Sequence, residues 1–244
     1  MLAIIGGSGL NSLQGFEVHR TLEVATPFGS PSAPLGFGRI GDHEFIFLPR
    51  HGMGHRLPPH LINYRANIWA LWKAGARTIM GVAAVGGISP RMRPTSLVVP
   101  DQIIDYTWGR EPSFGTDSDG RVLHIDFTHP YCEALRQNIL AAAEGLGIAA
   151  IDGGTYGAMQ GPRLETAREI QRLEQDGCDL VGMTGMPEAA LARELGLCYA
   201  CCALVANWAA GKEAAILSMT EIEQTLRLGM TQVLRLLPAL LDQF

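Results

Sequence analysis

Residues able to do chemistry gather in a few short stretches of this 244-residue chain. RHGMGHRLPPH (50–60) clusters Arg50, His51, His55, Arg56 and His60 directly after the apolar run EFIFL. An Arg beside a His at a strand end suits a bound phosphate, because a guanidinium offers charge and a planar fork of N–H donors. A solvated basic loop accounts for the same residues about equally well. A zinc face from His51 and His55 is a poor reading, since the two glycines between them and the prolines that follow disfavour the helix that would align them.

Four other stretches carry polar groups in apolar surroundings. IIGGSGL (4–10) is a glycine-rich turn after a strand, where backbone N–H groups can cradle an anion near Ser8. It fits neither a dinucleotide fingerprint, whose third glycine would fall at Ser12, nor a nucleophile elbow, whose closing glycine is Leu10. On spacing alone a tight structural turn is as good an account as an anion loop. GPRLETAREI (161–170) sets Glu165 at the start of a helix, where a first-turn acid also suits the dipole. MTGMPEAALA (183–192) offers Met183 and Thr184 before a Pro-initiated helix, with Glu188 just inside; capping explains Thr184 equally well. ALVANWAAG (203–211) ends a long apolar run on one amide, Asn207. Cys198 and Cys201 have redox spacing, but within a strand pattern they read as buried, packed thiols.

The elements that must position these residues alternate. Short β-branched runs at 2–5, 44–48, 77–85, 96–104, 178–182 and 198–206 read as buried strands. Helical patterns at 60–75, 130–147, 187–196 and 220–241 fall between or after them, several opening on Pro and closing on Gly. Strand and helix alternating along the chain predict an α/β fold: a single domain over 1–244 with a mixed, largely parallel central sheet flanked by helices.

Composition narrows the function classes. At 47% hydrophobic and 18% charged the chain reads as compact and globular. A formal net charge of −5 with no Lys/Arg stripe argues against a nucleic-acid partner. No apolar run reaches membrane-spanning length, and MLAIIGGSG is too short for a signal-peptide core. The odd count of five cysteines predicts reduced thiols and a cytoplasmic protein.

In order, the stretches IIGGSGL, PRHG, NYRANIWAL, DQIIDYT, HIDFTHPYC, GPRLET, MTGMPE and CYACCALVANW resemble the trimeric purine nucleoside phosphorylase / methylthioadenosine phosphorylase family over nearly the whole chain. The resemblance implies the nucleoside phosphorylase fold and cleavage of a purine nucleoside by inorganic phosphate, a co-substrate, with no metal or organic cofactor. It implies phosphate contacts from Ser8, Arg50, His51, Ala84 and Thr184 and a ribose contact from Met183. It implies a homotrimer in which His124 is lent to a neighbouring subunit. Two positions depart from the pattern: Ala83 stands where the methylthioadenosine enzymes usually have Thr, and Leu164 where an aromatic stacks on the base.

The same resemblance implies the base. Adenine-preferring members carry Asp at the position of Asn207 and again two residues on, where this chain has Ala209. Members acting on 6-oxopurines carry Asn there, with a Glu in the position of Glu165. An ionised Glu165 accepts from hypoxanthine N1–H and the Asn207 amide donates to N7 or O6, whereas adenine presents a bare N1 to the carboxylate. Inosine-cleaving members bind the 5′-hydroxyl with a C-terminal His, but here every His lies at or before His129. Met219 and Ile222 fall where a methylthio group is held, although both could be helix core. Together these imply S-methyl-5′-thioinosine as substrate. The alternatives are a methylthioadenosine or an inosine/guanosine phosphorylase, a purine-binding protein without catalysis and, remotely, a serine hydrolase built on Ser8.

Overall fold

The computed structural model describes residues 1–8, 10, 17–116, 119–213 and 218–244. Gly9 and Ser12 of the glycine-rich turn, and residues 215–217 ahead of the last helix, lie outside the described residues. The described elements run β1 (Leu2–Gly6), β2 (Glu17–Leu22), β3 (Leu35–Ile40), β4 (His43–Pro49), α1 (Tyr64–Lys73), β5 (Thr78–Gly87), β6 (Leu97–Val99), β7 (Gln102–Asp105), α2 (Glu133–Gly145), β8 (Ala150–Asp152), β9 (Thr155–Ala158), α3 (Ala167–Gln175), β10 (Leu180–Gly182), α4 (Gly185–Glu194), β11 (Cys198–Trp208) and α5 (Met219–Leu241). Among these, no helix is long and apolar enough to cross a membrane.

The sheet is mixed and largely parallel. β5 and β11 form its spine, parallel from Thr78↔Cys198 to Gly87↔Trp208. Both strands are apolar along almost their whole length because both of their faces are covered. Alternation along β11 shows it: Tyr199, Cys201, Ala203 and Val205 enter a core shared with α1 and α4. Ala200, Cys202, Leu204 and Ala206 enter the opposite core, shared with α2 and α5. The two-residue period of a strand therefore places helices on both sides of the sheet.

One feature of the pairing opens the molecule. The first half of β5 pairs with β1, from Leu2↔Thr78 to Ile5↔Gly81. Past the end of β1 the same side of β5 is taken by β10, antiparallel, at Gly86 and Gly87. Between Gly81 and Gly86 the pairing on that side lapses, and a crevice forms at the carboxyl ends of the strands. Such exchanges of neighbour are where open α/β sheets receive ligands.

The structure differs from the sequence expectation in four places. The strand expected over 96–104 is two strands: Pro100, which has no N–H to give a ladder, separates β6, paired with β8 and β11, from β7, paired with β9. The helix expected from residue 60 begins at Tyr64, capped by the Asn63 side chain accepting from Ala66 N at 3.1 Å; Pro59–Leu61 form a 3₁₀ turn instead. Glu165 does not open a helix. The N-cap of α3 is Thr166, in a reciprocal capping box with Glu169, so Glu169 is the first-turn acid and Glu165 precedes the cap.

The fourth concerns the thiols. Cys132 and Cys198 form a disulfide, Cα atoms 5.2 Å apart, that ties the start of α2 to the start of β11, whereas Cys178, Cys201 and Cys202 are buried free thiols. Cys198 and Cys201, three apart on one strand, point to opposite faces, so their spacing in sequence has no bearing on pairing. In denaturant without reductant, thiol titration should count the three free cysteines, and all five only after reduction. The chain-entropy estimate for this cross-link is about 4 kcal/mol, so reduction should lower the unfolding midpoint. Five titrating thiols before reduction would contradict the bond.

Candidate active site

The crevice is a pocket of about 810 Å³. Its floor is laid by strand ends: Gly7 and Ser8 after β1, Arg50 and His51 after β4, Ala83 to Gly86 of β5, and Ala206 and Asn207 of β11. Met183 and Thr184 after β10 form one wall, Leu164 and Glu165 another, and Met219 and Ile222 of α5 a third. Of the site residues that the family resemblance assigned, only His124 lies elsewhere, exposed and outside this wall.

Arg50 anchors the floor. Its side chain is 1% exposed and His51 is buried beside it, so the solvated basic loop accounts only for the exposed His55 and Arg56. Nε donates to Glu188 Oε2 at 2.6 Å, Nη2 to Glu188 Oε1 at 2.7 Å, and Nη1 to the Val82 carbonyl at 2.8 Å. Tyr199 donates its hydroxyl to the same Glu188 Oε1 at 2.7 Å. Burial works against the Arg50 charge, but the pull and hydrogen bonds of Glu188 outweigh it and hold the guanidinium above its ordinary pKa. Three of its five N–H groups are used, which leaves two for an anion.

Two glycines make room for this network. A Cβ on Gly7 would lie 2.5 Å from the Val82 carbonyl oxygen and 2.9 Å from Arg50 Nη1. On Gly81 it would lie 2.4 Å from the Tyr199 hydroxyl. The glycine-rich turn is thus needed structurally as well as being part of the pocket. Sequence reasoning missed Glu188, for which a helix-terminus role had sufficed. Its signal was an acid flanked by Pro187 and Ala189 in the otherwise apolar first turns of the helix. Thr184 makes no side-chain cap, so its hydroxyl is not consumed by α4.

His51 is buried beside this charge, and its Nδ1 is 2.8 Å from the Leu57 carbonyl. A carbonyl only accepts, so Nδ1 carries the proton. Burial, with the Arg50 charge adding to it, lowers the imidazole pKa to about 4. The ring is therefore neutral at physiological pH, stacked on His55 with centroids 4.2 Å apart.

At the other end, a register shift between Val205 and Asn207 turns the end of β11. Asn207 Nδ2 donates to the Trp208 carbonyl at 2.7 Å, leaving one N–H and the Oδ1 acceptor. Ala209, also in the wall, packs over Gly86. The Glu165 carboxyl has a raised pKa, caused first by burial and next by the Glu169 charge. Arg163, two residues away, is turned from it and forks onto Glu169 with both contacts at 2.8 Å. Glu223, Leu226 and Arg227 of α5 continue the wall beside Met219 and Ile222. Among the described residues no group of three or more His, Cys, Asp or Glu converges as metal ligands.

A family profile for the Phosphorylase superfamily matches residues 1–242. The chain is similar to a protein of Pseudomonas syringae pv. tomato named "Probable S-methyl-5'-thioinosine phosphorylase", 56% identical over 95% of this chain and 94% of that one. It is similar to the "6-oxopurine nucleoside phosphorylase" of Pyrococcus furiosus, 44% identical over 98% of this chain and 91% of that one. Among solved structures it is similar to methylthioadenosine phosphorylase from Schistosoma mansoni in complex with adenine, with a TM-score of 0.94 at 34% identity, covering 99% of this chain and 91% of that one.

The buried pair sets a stability test. Glu188→Ala leaves the Arg50 charge uncompensated and should cost about 3–5 kcal/mol in urea unfolding. Adding Arg50→Met should recover most of that loss. A fully additive double variant would mean the two side chains do not act as a pair.

Proposed function

The chain belongs to the phosphorylase superfamily as an enzyme of the purine nucleoside phosphorylase type, and on that premise we propose that it cleaves S-methyl-5′-thioinosine with inorganic phosphate. The products are hypoxanthine and 5-methylthioribose 1-phosphate. The observation that carries this reading is Asn207 and Glu165 facing one pocket with Ala209 in place of an acid.

In this reading the two remaining N–H groups of Arg50 and the hydroxyls of Ser8 and Thr184 hold phosphate beside the backbone of Ala84. Neutral His51 brings no charge; its Nε2 lone pair accepts from the protonated oxygen of hydrogen phosphate, which leaves an ionised oxygen to meet C1′. That oxygen forms the new bond as the C1′–N9 bond breaks, the electron pair leaves with the purine, and the proton given up by the new sugar phosphate reaches the purine anion through water to complete hypoxanthine. Met183 lies along the ribose. The free N–H of Asn207 stabilises the departing base at N7 or O6 by preorganised hydrogen bonding. Ionised Glu165 accepts from N1–H, and Leu164 covers the base. Met219 and Ile222 offer apolar surface to the methylthio group, which no His replaces with a hydroxyl contact. Phosphate is a co-substrate and no cofactor takes part. The working form is a single-domain chain in a cytoplasmic homotrimer, His124 reaching a neighbour's pocket.

A second reading draws on Glu165. Its raised pKa means the proton is retained to higher pH than usual, and a protonated carboxyl can donate to adenine N1. Methylthioadenosine is then an acid-side substrate.

Separating products after incubation with methylthioinosine, methylthioadenosine and inosine, each with and without phosphate, tests the proposal. Phosphate-dependent hypoxanthine from methylthioinosine, favoured by roughly 100-fold, is expected, since buried mismatched groups cost about 1–3 kcal/mol each. Adenine released at an equal rate would overturn the base assignment. Asn207→Asp with Ala209→Asp should narrow the preference at least about tenfold.

The pH dependence has a fixed sign. Glu165 is ionised above its raised pKa and protonated below it, so the preference for methylthioinosine over methylthioadenosine should fall as pH is lowered from neutral through the acid range in which the chain stays folded. A ratio of kcat/KM values flat across that range would mean Glu165 does not read N1.

A further inference from the structure

Arg110, on the loop after β7, does not line the pocket, yet its guanidinium ties the pocket walls together. Nη1 donates to the Met183 carbonyl at 2.8 Å and the Met186 carbonyl at 2.6 Å. Nη2 donates to the Gln160 carbonyl at 2.9 Å and the Met159 carbonyl at 3.3 Å, and Nε to Gln160 Oε1 at 3.2 Å. Nη1 also approaches the Tyr64 hydroxyl at 3.2 Å, and that hydroxyl donates to the carbonyl of Pro59, a residue of the wall.

These carbonyls belong to the loop that leaves β9 and to the segment that leaves β10 and enters the first turn of α4. The ladder between β9 and β10 ends at Ala158↔Gly182, with one further bond from Met159 N to the Gly182 carbonyl at 2.7 Å. Beyond it one chain runs from Gln160 to Leu164 and Glu165, and the other through Met183 and Thr184. With the ladder finished, carbonyls of both loops converge on Arg110. A planar fork with five donors can serve both at once, whereas an ammonium is a single point charge.

We propose that Arg110 is a positioning residue that fixes the base-reading loop against the loop that meets ribose and phosphate. The inference rests on the phosphorolysis reading above. Each loop keeps its own ligand contacts without Arg110, and what is lost is their mutual placement. The effect therefore falls on kcat, where a displacement near 1 Å can cost about 100-fold.

The test compares Arg110→Ala and Arg110→Lys with the wild type, using methylthioinosine and phosphate at saturation and counting folded active sites. The expected result is a roughly 30- to 100-fold loss of kcat in both, with the KM for phosphate within about threefold of wild type. Added guanidinium should restore about tenfold or more to Arg110→Ala and nothing to Arg110→Lys, which a merely structural role would not produce. A kcat within threefold of wild type in either folded variant, or a loss with no guanidinium rescue, overturns the proposal. Should neither variant fold, Tyr64→Phe removes one acceptor of the same guanidinium. A kcat loss of at least threefold then supports the proposal, and an unchanged kcat overturns it. If the wild type itself releases no hypoxanthine from any nucleoside, the reaction reading fails separately. Arg110 is then judged on binding of phosphate and hypoxanthine together: cooperative in the wild type and lost in Arg110→Lys if the proposal holds, equal in both if it does not.

Discussion

A guanidinium sealed from water at the end of β4 needs a counter-charge equally sealed, and Glu188 at the start of α4 supplies it. Removing both charges from water is costly, so a buried pair of this kind contributes less to stability than to geometry. Its two forked contacts and the Tyr199 hydroxyl fix β4, α4 and β11 against one another at a single point. The backbone yields to the pair where it must: Gly7 and Gly81 carry no Cβ because the guanidinium and the carboxylate–phenol contact occupy that space. Arg50 thereby reaches the pocket lining from a fixed position.

Around that point the sheet provides an opening without a gap in its core. β5 exchanges β1 for β10 over the few residues from Gly81 to Gly86, so its backbone and that of the neighbouring turn face the pocket instead of a strand. The helices on both faces are undisturbed, since the alternation along β5 and β11 continues through the exchange. A rigid spine thus ends in segments released from the ladder, and Arg110 holds two of those segments where the ladder no longer can.

The charged groups around Glu165 are already engaged with one another. Arg163 is near enough in sequence to neutralise Glu165, but it is forked onto Glu169, which also closes the capping box of α3. Glu169 is thereby held down to about 2 while Glu165 is raised. One carboxylate is committed to structure, and its neighbour four residues away is not held by that ion pair. Asn207 is likewise half committed, one amide hydrogen bound to the next carbonyl and the rest turned to the pocket wall.

Much of this was legible in the sequence because it is local. Apolar runs of strand length and helical patterns bounded by Pro and Gly located β1, β4, β5, β11, α2, α4 and α5 with boundaries shifted by a few residues. β2, with its exposed EVHRTL, and the glycine-interrupted β3 were not legible, because their pairing rather than their composition makes them strands. The family resemblance assigned Ser8, Arg50, His51, Glu165, Thr184 and Asn207 to a phosphate-and-purine pocket, and the fold brings all six to one crevice. Tertiary structure alone decided the partners. It paired Glu188 with Arg50 across 138 positions and Cys198 with Cys132 across 66, drew Arg163 away from Glu165, and gathered the carbonyls of two loops on Arg110. Periodicity records which face of an element a residue occupies, but the identity of what lies across from that face is a property of the packed chain.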